Sequence, residues 1–167
     1  MINWHKRYVE WWKKKLNISD YGIAWLSFIK GLILGLLIYH FLLNNKMAYD
    51  KNNIFAKILR GEIPCKKIYE NDFVLSFHDI NPQKKIHALV IPKGEYVDLD
   101  DFIQNAKEKE ITEFFKAISH VAKLLKVSSI EGGYRALSNI GKNGGQEVPH
   151  LHFHIFGGEN VGKMVSS

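Results

Sequence analysis

Apolar and polar residues alternate strictly in one short segment near the C-terminus. The apolar positions are Leu151, Phe153 and Ile155, and the polar positions are His150, His152 and His154. A period of two is typical of a half-buried β-strand, in which every second side chain points to the same face. The pattern therefore predicts a strand near residues 150–156, with three imidazoles on one face and the apolar side chains on the other.

The other hydrophobic patterns predict two helices and four more strands. The predicted strands are 66–70, 73–78, 86–92 and 134–140, where β-favouring residues stand between turn signals. A short helix is predicted over 54–61, ending near Gly61 and ahead of Pro64. A longer amphipathic helix follows from apolar spacings of three and four, at Ile111, Phe114, Phe115, Ile118, Val121, Ala122 and Leu125. These elements predict an α+β domain with a mainly antiparallel sheet.

A different pattern occupies residues 1–46. The run from Tyr21 to Leu43 is apolar over 23 residues, and about 20 helical residues cross the hydrocarbon core of a bilayer. Basic and aromatic residues precede the run, as they do at the interfacial ends of membrane helices. Lys30 inside the run costs on the order of 3 kcal/mol on insertion scales, which the many Leu and Ile residues outweigh. The sequence thus predicts a transmembrane helix over 21–43 and a globular domain over 47–167.

Charge divides the chain at the same place. Residues 1–46 carry seven Lys and Arg against two Asp and Glu, whereas residues 47–167 carry 16 against 15. Because the C-terminal domain is nearly neutral, the net charge of +6 does not indicate a nucleic-acid partner. Cys65 is the only cysteine, so an intrachain disulfide is excluded, and no cysteine-enzyme signature surrounds it.

Three imidazoles on one face indicate chemistry rather than packing. Near neutral pH, imidazole acts as a nucleophile, a proton carrier or a metal ligand. The spacing alone allows a three-histidine zinc site or a nucleophilic histidine with supporting partners. Gly144 and Gly145 lie just upstream, where a glycine-rich backbone can bring successive N–H groups to an anion. This neighbour favours the second interpretation, a phosphate-binding loop beside a histidine nucleophile.

Residues 144–158 as a whole resemble the signature of the histidine-triad (HIT) superfamily. The pair Gly157-Gly158 is similar to its Hint branch of purine nucleotide phosphoramidases. Two further blocks, 54–64 and 77–93, extend the resemblance over about residues 48–158. The resemblance implies a HIT-like fold with one long amphipathic helix and a short N-terminal helix, assembled as a homodimer.

The resemblance also implies roles for the matching residues. His152 would attack the α-phosphorus of a nucleotide and form a nucleotidyl-histidine intermediate, its ring held by the backbone carbonyl of His150. His154 and His87 would contribute to the phosphate site, and Asp79 would accept both ribose hydroxyls. The other implied polar contacts are Asn139, Gly144, Gly145, Gln146 and Glu147. The implied walls of the base pocket are Ile54, Phe55, Ile58, Ile63, Phe77 and Ile80.

The implied activity is hydrolysis or transfer of purine nucleoside 5′-monophosphates from phosphoramidate-type P–N bonds, with no metal or other cofactor. Some relatives carry serine at the position of Glu147, and the tail 159–167 lacks a tryptophan found in some members, so leaving-group preference stays open. One alternative is a dinucleoside polyphosphate hydrolase of the same superfamily, which Gly157-Gly158 disfavours. A second is a membrane-tethered nucleotide sensor with little turnover, which the intact triad disfavours.

Localisation depends on how the N-terminal region is interpreted. As a single-pass anchor it makes the protein a membrane protein, and nucleotide substrates favour a cytoplasmic HIT domain. The basic residues ahead of the apolar run instead favour a cytoplasmic N-terminus, which would place the HIT domain outside the cytoplasm. Basic residues also follow the run, so this bias is small. The other interpretation is that Met47, where the resemblance begins, is the working start, which would give a soluble cytoplasmic protein.

Overall fold

The computed structural model describes residues 2–43 and 48–163. The chain divides into an N-terminal unit, residues 1–47, and a C-terminal unit, residues 48–167. The N-terminal unit contains two helices, α1 (Ile2–Leu16) and α2 (Asp20–Leu43). Within the described ranges, α2 is the one helix long and apolar enough to cross a membrane, judged by length and composition alone.

The C-terminal unit is built on one five-stranded antiparallel sheet. Its helices are α3 (Ile54–Leu59), α4 (Leu99–Asn105), α5 (Glu108–Leu124) and a 3₁₀ turn at Ser129–Glu131. Its strands are β1 (Lys67–Glu70), β2 (Val74–His78), β3 (Ile86–Pro92), β4 (Tyr134–Leu137) and β5 (Phe153–Gly157), in the spatial order β1-β2-β3-β5-β4. The predicted α+β fold with an antiparallel sheet is confirmed.

The sheet buries apolar side chains on both faces, because neighbouring residues of a strand point in opposite directions. On one face, Val90 and Ile155 pack in a core that includes Phe114 of α5. On the other face, Leu75, Phe77, Leu89 and Ile91 pack with Phe55 of α3. The amphipathic α5 covers the first face, and the short α3 covers only part of the second. This leaves room on the α3 face for a cavity.

The structure adds one helix to the prediction and moves the boundaries of two strands. Helix α4 was not predicted, because its seven residues are too few to establish a helical period. Strand β4 ends at Leu137 rather than at residue 140. Strand β5 begins at Phe153 rather than near residue 150, since the N–H of Leu151 donates to Tyr96 instead of to a neighbouring strand. The predicted alternation of side chains still holds, because Leu151 and Ile155 are buried in the same core.

Candidate active site

A cavity of about 320 Å³ opens on the α3 face of the sheet. Cavities of this size are typical of small-ligand sites. The predicted polar site residues that line it are Asp79, Asn139, Gly145, Glu147, His152 and His154. The predicted apolar residues that line it are Ile54, Phe55, Ile58, Ile63, Phe77 and Ile80. The structure thus brings most of the predicted site together around one opening.

Helix α3 begins where an asparagine caps it. The side-chain oxygen of Asn53 accepts a hydrogen bond from the N–H of Ala56 at 2.9 Å, which satisfies an otherwise unpaired helix N-terminal group. The cap sets the position of Phe55, whose ring centroid lies 5.1 Å from that of His152 in an edge-to-face arrangement. The helix therefore supplies both an apolar wall of the cavity and a packing partner for the central histidine.

His152 is held in one tautomer. Its Nδ1 lies 2.7 Å from the carbonyl oxygen of His150, the contact that the resemblance implied. Because a carbonyl can only accept, Nδ1 carries the proton and Nε2 keeps its lone pair. Ser138 fixes the backbone at the same point, since its hydroxyl donates to the carbonyl of His152 at 2.7 Å. The buried ring of His152 thus presents a neutral imidazole with an unprotonated Nε2.

His150 is fully buried and does not line the cavity. Its Nε2 lies 3.0 Å from the carbonyl oxygen of Pro92, so Nε2 carries the proton and donates. Its Nδ1 therefore accepts, and the hydroxyl of Tyr49 is the donor. Both ring nitrogens are engaged, which fixes the ring and the backbone carbonyl that His152 uses. His150 is in this sense a positioning residue.

His87 and His154 form a hydrogen-bonded pair. The backbone N–H of Gln83 lies 3.4 Å from His87 Nδ1, and the Asp79 carboxylate lies 3.4 Å from His87 Nε2. Both contacts favour the tautomer with the proton on Nε2, because N–H groups donate and carboxylates accept. His87 Nε2 then donates to His154 Nδ1 at 2.8 Å. This leaves the proton of His154 on Nε2, available to a ligand in the cavity.

The carboxylate of Asp79 is oriented at the cavity wall. One oxygen accepts the N–H of Asn81 at 2.7 Å, and the other faces His87. A carboxylate has about four lone-pair sites, so acceptor capacity is left for a polar ligand. Ile80, next to it, is 82% exposed although it is a large aliphatic residue. An exposed aliphatic side chain beside an oriented carboxylate suits a ligand with an apolar ring and hydroxyl groups.

The glycine-rich loop binds three of its own backbone amides. The N–H groups of Gly145 and Gln146 donate to Lys142 and Gly141 within the loop, and the N–H of Gly141 donates to the Gln146 side chain. These three N–H groups are already bonded within the loop, while Gly145 and Glu147 line the cavity, so the anion-binding concavity stays a prediction. Gly144 and Gln146 do not line the cavity. Gly144 is required for space, since a Cβ there would lie 2.3 Å from the carbonyl oxygen of Ile140.

Gln146 braces the loop against the rest of the domain. Its amide nitrogen donates to the carbonyl of Val97 at 2.7 Å and to that of Val148 at 3.1 Å. Its amide oxygen accepts from Gly141 at 2.9 Å. The side chain is therefore committed to the loop itself. The loop places Gly145 and Glu147 at the cavity. Replacing Gln146 would therefore affect the site indirectly, by displacing these two residues.

Sequence reasoning missed several residues of the site. Tyr49 and Ser138 position the histidine segment, and Gln83 sets the tautomer of His87. Further cavity residues without a predicted role are Pro64, Cys65, Asn81, Leu89 and Val148. Burial raises the pKa of the Cys65 thiol, which keeps it protonated and unreactive. No sequence signal pointed to Tyr49, because its partner is 101 residues away.

Comparison with known proteins agrees with this geometry. A family model, described as "HIT domain", matches residues 60–161. The chain belongs to the HIT domain family. It is 56% identical over 119 residues to a 13.2 kDa HIT-like protein of Azospirillum brasilense, covering 71% of this chain and 96% of that protein. It is 36% identical over 116 residues to the purine nucleoside phosphoramidase of Escherichia coli, and the match covers 70% of this chain and 95% of that protein.

Solved structures give the same result. The HIT family hydrolase of Clostridium thermocellum superposes with a TM-score of 0.61 at 34% identity, covering 70% of this chain and 99% of that one. The C-terminal unit therefore has the HIT-like α+β fold with a five-stranded antiparallel sheet. Members of the family are nucleotide hydrolases and transferases. The cavity of this HIT domain is therefore assigned to that general class of reaction.

Burial keeps the site histidines His150, His152 and His154 uncharged at neutral pH. It lowers the pKa of His152 below its ordinary value, and the hydrogen bond to His150 only partly opposes this effect. Burial, together with the neighbouring imidazoles of His152 and His87, lowers the pKa of His154 to about 4. Burial also lowers the pKa of His150 to about 4. At neutral pH the site therefore contains uncharged imidazoles.

The pH dependence of activity follows from these shifts. A neutral His152 is required for attack, and its pKa lies below the ordinary 6.5. We therefore expect kcat/KM to hold its value as the pH falls through about 6.5, and to decline only at lower pH. The measurement is kcat/KM between about pH 5 and 8 with a substrate that does not titrate in that window. An acidic limb centred at or above the ordinary imidazole pKa would contradict a buried neutral nucleophile.

Tyr49→Phe tests the positioning network behind the site. The substitution leaves the buried Nδ1 of His150 without its donor, and an unsatisfied buried polar group costs about 1–3 kcal/mol. We expect the free energy of unfolding to fall by that amount, with a loss of kcat of about tenfold or less. Tyr69→Phe is the matched control, because the Tyr69 hydroxyl makes a 3.2 Å contact with Asn71 in a partly exposed position. If the free energy of unfolding falls equally in the two variants, the hydrogen bond from Tyr49 to His150 stabilises the domain no more than a partly exposed contact does.

The three-histidine metal site is not supported by the geometry. Both nitrogens of His150 and the Nδ1 of His152 are already hydrogen-bonded, so these rings cannot converge on one ion with His154. Among the described residues, the one group that could hold a metal is Asp79, His87 and His154, whose ligand atoms lie within 4.8 Å of one another. Two of these residues, His87 and His154, form the hydrogen-bonded pair described above, and the Asp79 carboxylate lies 3.4 Å from His87 Nε2.

Proposed function

We propose that the HIT domain hydrolyses phosphoramidate derivatives of purine nucleoside 5′-monophosphates through a nucleotidyl-His152 intermediate. The observation that carries this proposal is the fixed tautomer of His152, with Nδ1 bonded to the carbonyl of His150 at 2.7 Å. It leaves an unprotonated Nε2 on a residue of the cavity wall. A neutral imidazole is nucleophilic near pH 7 without a separate base.

Two displacements complete the reaction. The Nε2 lone pair of His152 forms a bond to the α-phosphorus as the P–N bond to the leaving amine breaks, and the departing nitrogen takes up a proton from solvent. Water then attacks the same phosphorus and breaks the bond to Nε2, which releases the nucleoside 5′-monophosphate, returns a proton to solvent and restores neutral His152. Nucleotidylation gives the ring a positive charge, and the carbonyl of His150 stabilises it through the Nδ1 proton.

The other cavity residues suit the remaining parts of this substrate. The Nε2 proton of His154 donates to non-bridging phosphate oxygens, where charge increases during attack. Asp79 accepts the two ribose hydroxyls, and Asn139 donates nearby. Ile54, Phe55, Ile58, Phe77 and Ile80 form apolar walls for the base. The choice of a purine and of a P–N bond is supported by the 36% identity to the purine nucleoside phosphoramidase of Escherichia coli.

Hydrolysis of adenosine 5′-phosphoramidate by the full chain in excess chelator tests the proposal. We expect turnover that the chelator does not reduce. Chelator-sensitive turnover would instead indicate an ion at Asp79, His87 and His154. Preferential cleavage of diadenosine polyphosphates would favour the polyphosphate hydrolase. Binding of AMP without turnover of any of these substrates would favour a sensor.

We also propose that α2 anchors the protein in a membrane, with the HIT domain in the cytoplasm where nucleotides are available. The length and apolar composition of α2 support this, as does the exposure of its side chains. In the native host, we expect the full chain in the membrane fraction after alkaline carbonate washing. Recovery of the full chain in the soluble fraction would exclude the anchor, whereas recovery only of a soluble chain beginning at Met47 would favour Met47 as the start.

We further propose that the HIT domain is a homodimer. Strand β4 lies at one edge of the sheet and pairs on one side with β5. A free strand edge can pair with another chain. Light scattering of the detergent-solubilised full chain, corrected for bound detergent, tests this proposal. A mass of one chain at micromolar concentration would exclude it.

A further inference from the structure

Helix α1 has two chemically distinct faces. Successive residues of an α-helix are about 100° apart, so positions i, i+4, i+7 and i+8 share one side. Trp4, Tyr8, Trp11 and Trp12 occupy this spacing. One half of the helix surface carries the aromatic and aliphatic side chains of Trp4, Tyr8, Val9, Trp11, Trp12 and Leu16. The opposite half carries polar and charged residues.

Much of the aromatic face of α1 is exposed, although Val9 and Trp12 are half-buried. Trp4 is 71% exposed, and Trp11 and Tyr8 are about half exposed. Aromatic rings of this face contact one another along the helix, with ring centroids 5.7 Å apart for Trp4 and Tyr8 and 4.9 Å apart for Trp11 and Trp12. A contiguous apolar surface of this kind marks an interaction site, because its exposure to water is unfavourable.

The polar face of α1 is basic. Lys6, Arg7 and Lys14 are exposed on it, and Glu10 is the one acidic residue of the helix. Lys15 falls within the aromatic half, where its Nζ lies 4.6 Å from the ring centroid of Trp11. A long lysine side chain can cover apolar surface while its charged end stays in a polar layer. The charge distribution therefore complements an anionic surface.

A defined turn separates α1 from α2. Asn17 adopts a positive φ of 51°, and the N–H of Ile18 donates back to the carbonyl of Lys13 at 3.2 Å, the arrangement of a Schellman C-cap. Ser19 then caps α2, since its hydroxyl accepts from the N–H of Gly22 at 3.2 Å. Lys13 also pairs with Asp20 across the turn. The chain therefore ends one helix and starts another within residues 17–19.

We infer that α1 lies on the surface of a bilayer that contains anionic phospholipids, with its aromatic face in the headgroup region. Apolar and aromatic residues on one side with lysine and arginine on the other are typical of interfacial helices. The capped turn lets α1 take a direction different from that of the apolar helix that follows. The partner is the anionic lipid surface itself. This inference extends the proposed membrane association and is independent of the hydrolase activity.

Tryptophan fluorescence of the full chain tests this inference, because all four tryptophans lie in residues 1–46. Trp25→Phe removes the signal from α2 and leaves Trp4, Trp11 and Trp12. The protein is reconstituted in vesicles of phosphatidylcholine alone, or of equal parts phosphatidylcholine and phosphatidylglycerol. In the mixed vesicles we expect blue-shifted emission, protection from aqueous iodide, and quenching by lipids brominated near the carbonyl end of the acyl chains. Protection should be weaker in phosphatidylcholine alone.

Charge neutralisation on α1 sharpens the test. In the Trp25→Phe chain, Lys6→Gln with Lys14→Gln should lower the ratio of membrane-bound to free α1 roughly fivefold for each lysine removed. Lys66→Gln with Lys123→Gln is the matched control, because both are exposed lysines of the HIT domain. We expect the control pair to behave as the parent chain does.

Equal iodide accessibility in the two kinds of vesicle would overturn the inference. So would insensitivity of that accessibility to the Lys6 and Lys14 substitutions. Protection from iodide without quenching by the brominated lipids would show that the aromatic face packs on protein instead. Alkaline carbonate extraction of the same vesicles reports separately on α2. Failure of the anchor is therefore distinguishable from failure of the surface helix.

Discussion

Replacing His152 with alanine should lower kcat/KM for adenosine 5′-phosphoramidate by about 10⁴-fold or more, the scale seen when a covalent nucleophile is removed. The physical reason is that no other imidazole in the cavity has a free, unprotonated nitrogen. His154 Nδ1 accepts from His87, and His154 is not held by a backbone carbonyl as His152 is. Steady-state hydrolysis with a sensitive amine-release assay measures the loss.

Two controls distinguish the loss of a nucleophile from a general disturbance of the fold or of the cavity. His120→Ala removes an imidazole from α5, on the other face of the sheet, where the ring packs on Tyr69, and it should keep full activity. Binding of AMP to His152→Ala, measured by calorimetry, should stay within a few-fold of the parent chain, because Asp79 and the apolar walls are unchanged. Retained turnover in His152→Ala would remove the nucleophile from the proposal. Lost turnover together with lost binding would indicate a collapsed cavity.

His154→Ala should lower kcat by about 10²–10³-fold, as the loss of a donor to a developing oxyanion does. His154 donates only because His87 occupies its Nδ1 at 2.8 Å. His87→Leu removes that donor, and we expect a loss of about tenfold in kcat, the cost of one neutral hydrogen bond. His87→Gln keeps an amide N–H for His154 and should recover most of the activity.

The double variant separates a relay from two independent contributions. If His87 acts through His154, His87→Leu should add little to the defect of His154→Ala, because residues in one network are not additive. Multiplicative losses in kcat would show that His87 contacts the substrate directly. Thermal unfolding of each variant is measured alongside, since His87 is buried and stacks on Phe156 with ring centroids 4.3 Å apart.

The fold was largely predictable because its signals are local. Alternation at Leu151, Phe153 and Ile155 indicated the core face correctly, since side-chain direction in extended backbone depends only on sequence spacing. The start of β5 was not predictable from that pattern. Extended residues before Phe153 show the same alternation whether or not they pair, and pairing is decided by the N–H of Leu151 donating to Tyr96.

The sequence predicted those site contacts whose two partners lie in one short segment. It missed the contacts whose partners are far apart in the chain. The carbonyl of His150 was expected as the partner of His152 because only two residues separate them. Tyr49 donates to His150 although the two residues are 101 positions apart, and no local sequence pattern predicts that contact. The anion-binding role of the glycine loop stays a prediction for a related reason. Composition indicates that backbone amides can approach an anion, but not that Gly141, Gly145 and Gln146 use theirs within the loop.

A covalent nucleotide on His152 is the most direct consequence of the proposed mechanism. The full chain is mixed with adenosine 5′-phosphoramidate in excess chelator, quenched in base within one turnover to preserve the P–N bond, digested and analysed by mass spectrometry. We expect one adenylyl group on the peptide that contains His152, and none in the His152→Ala chain. Turnover at the normal rate with no adenylylated peptide at any quench time would contradict the histidine nucleophile.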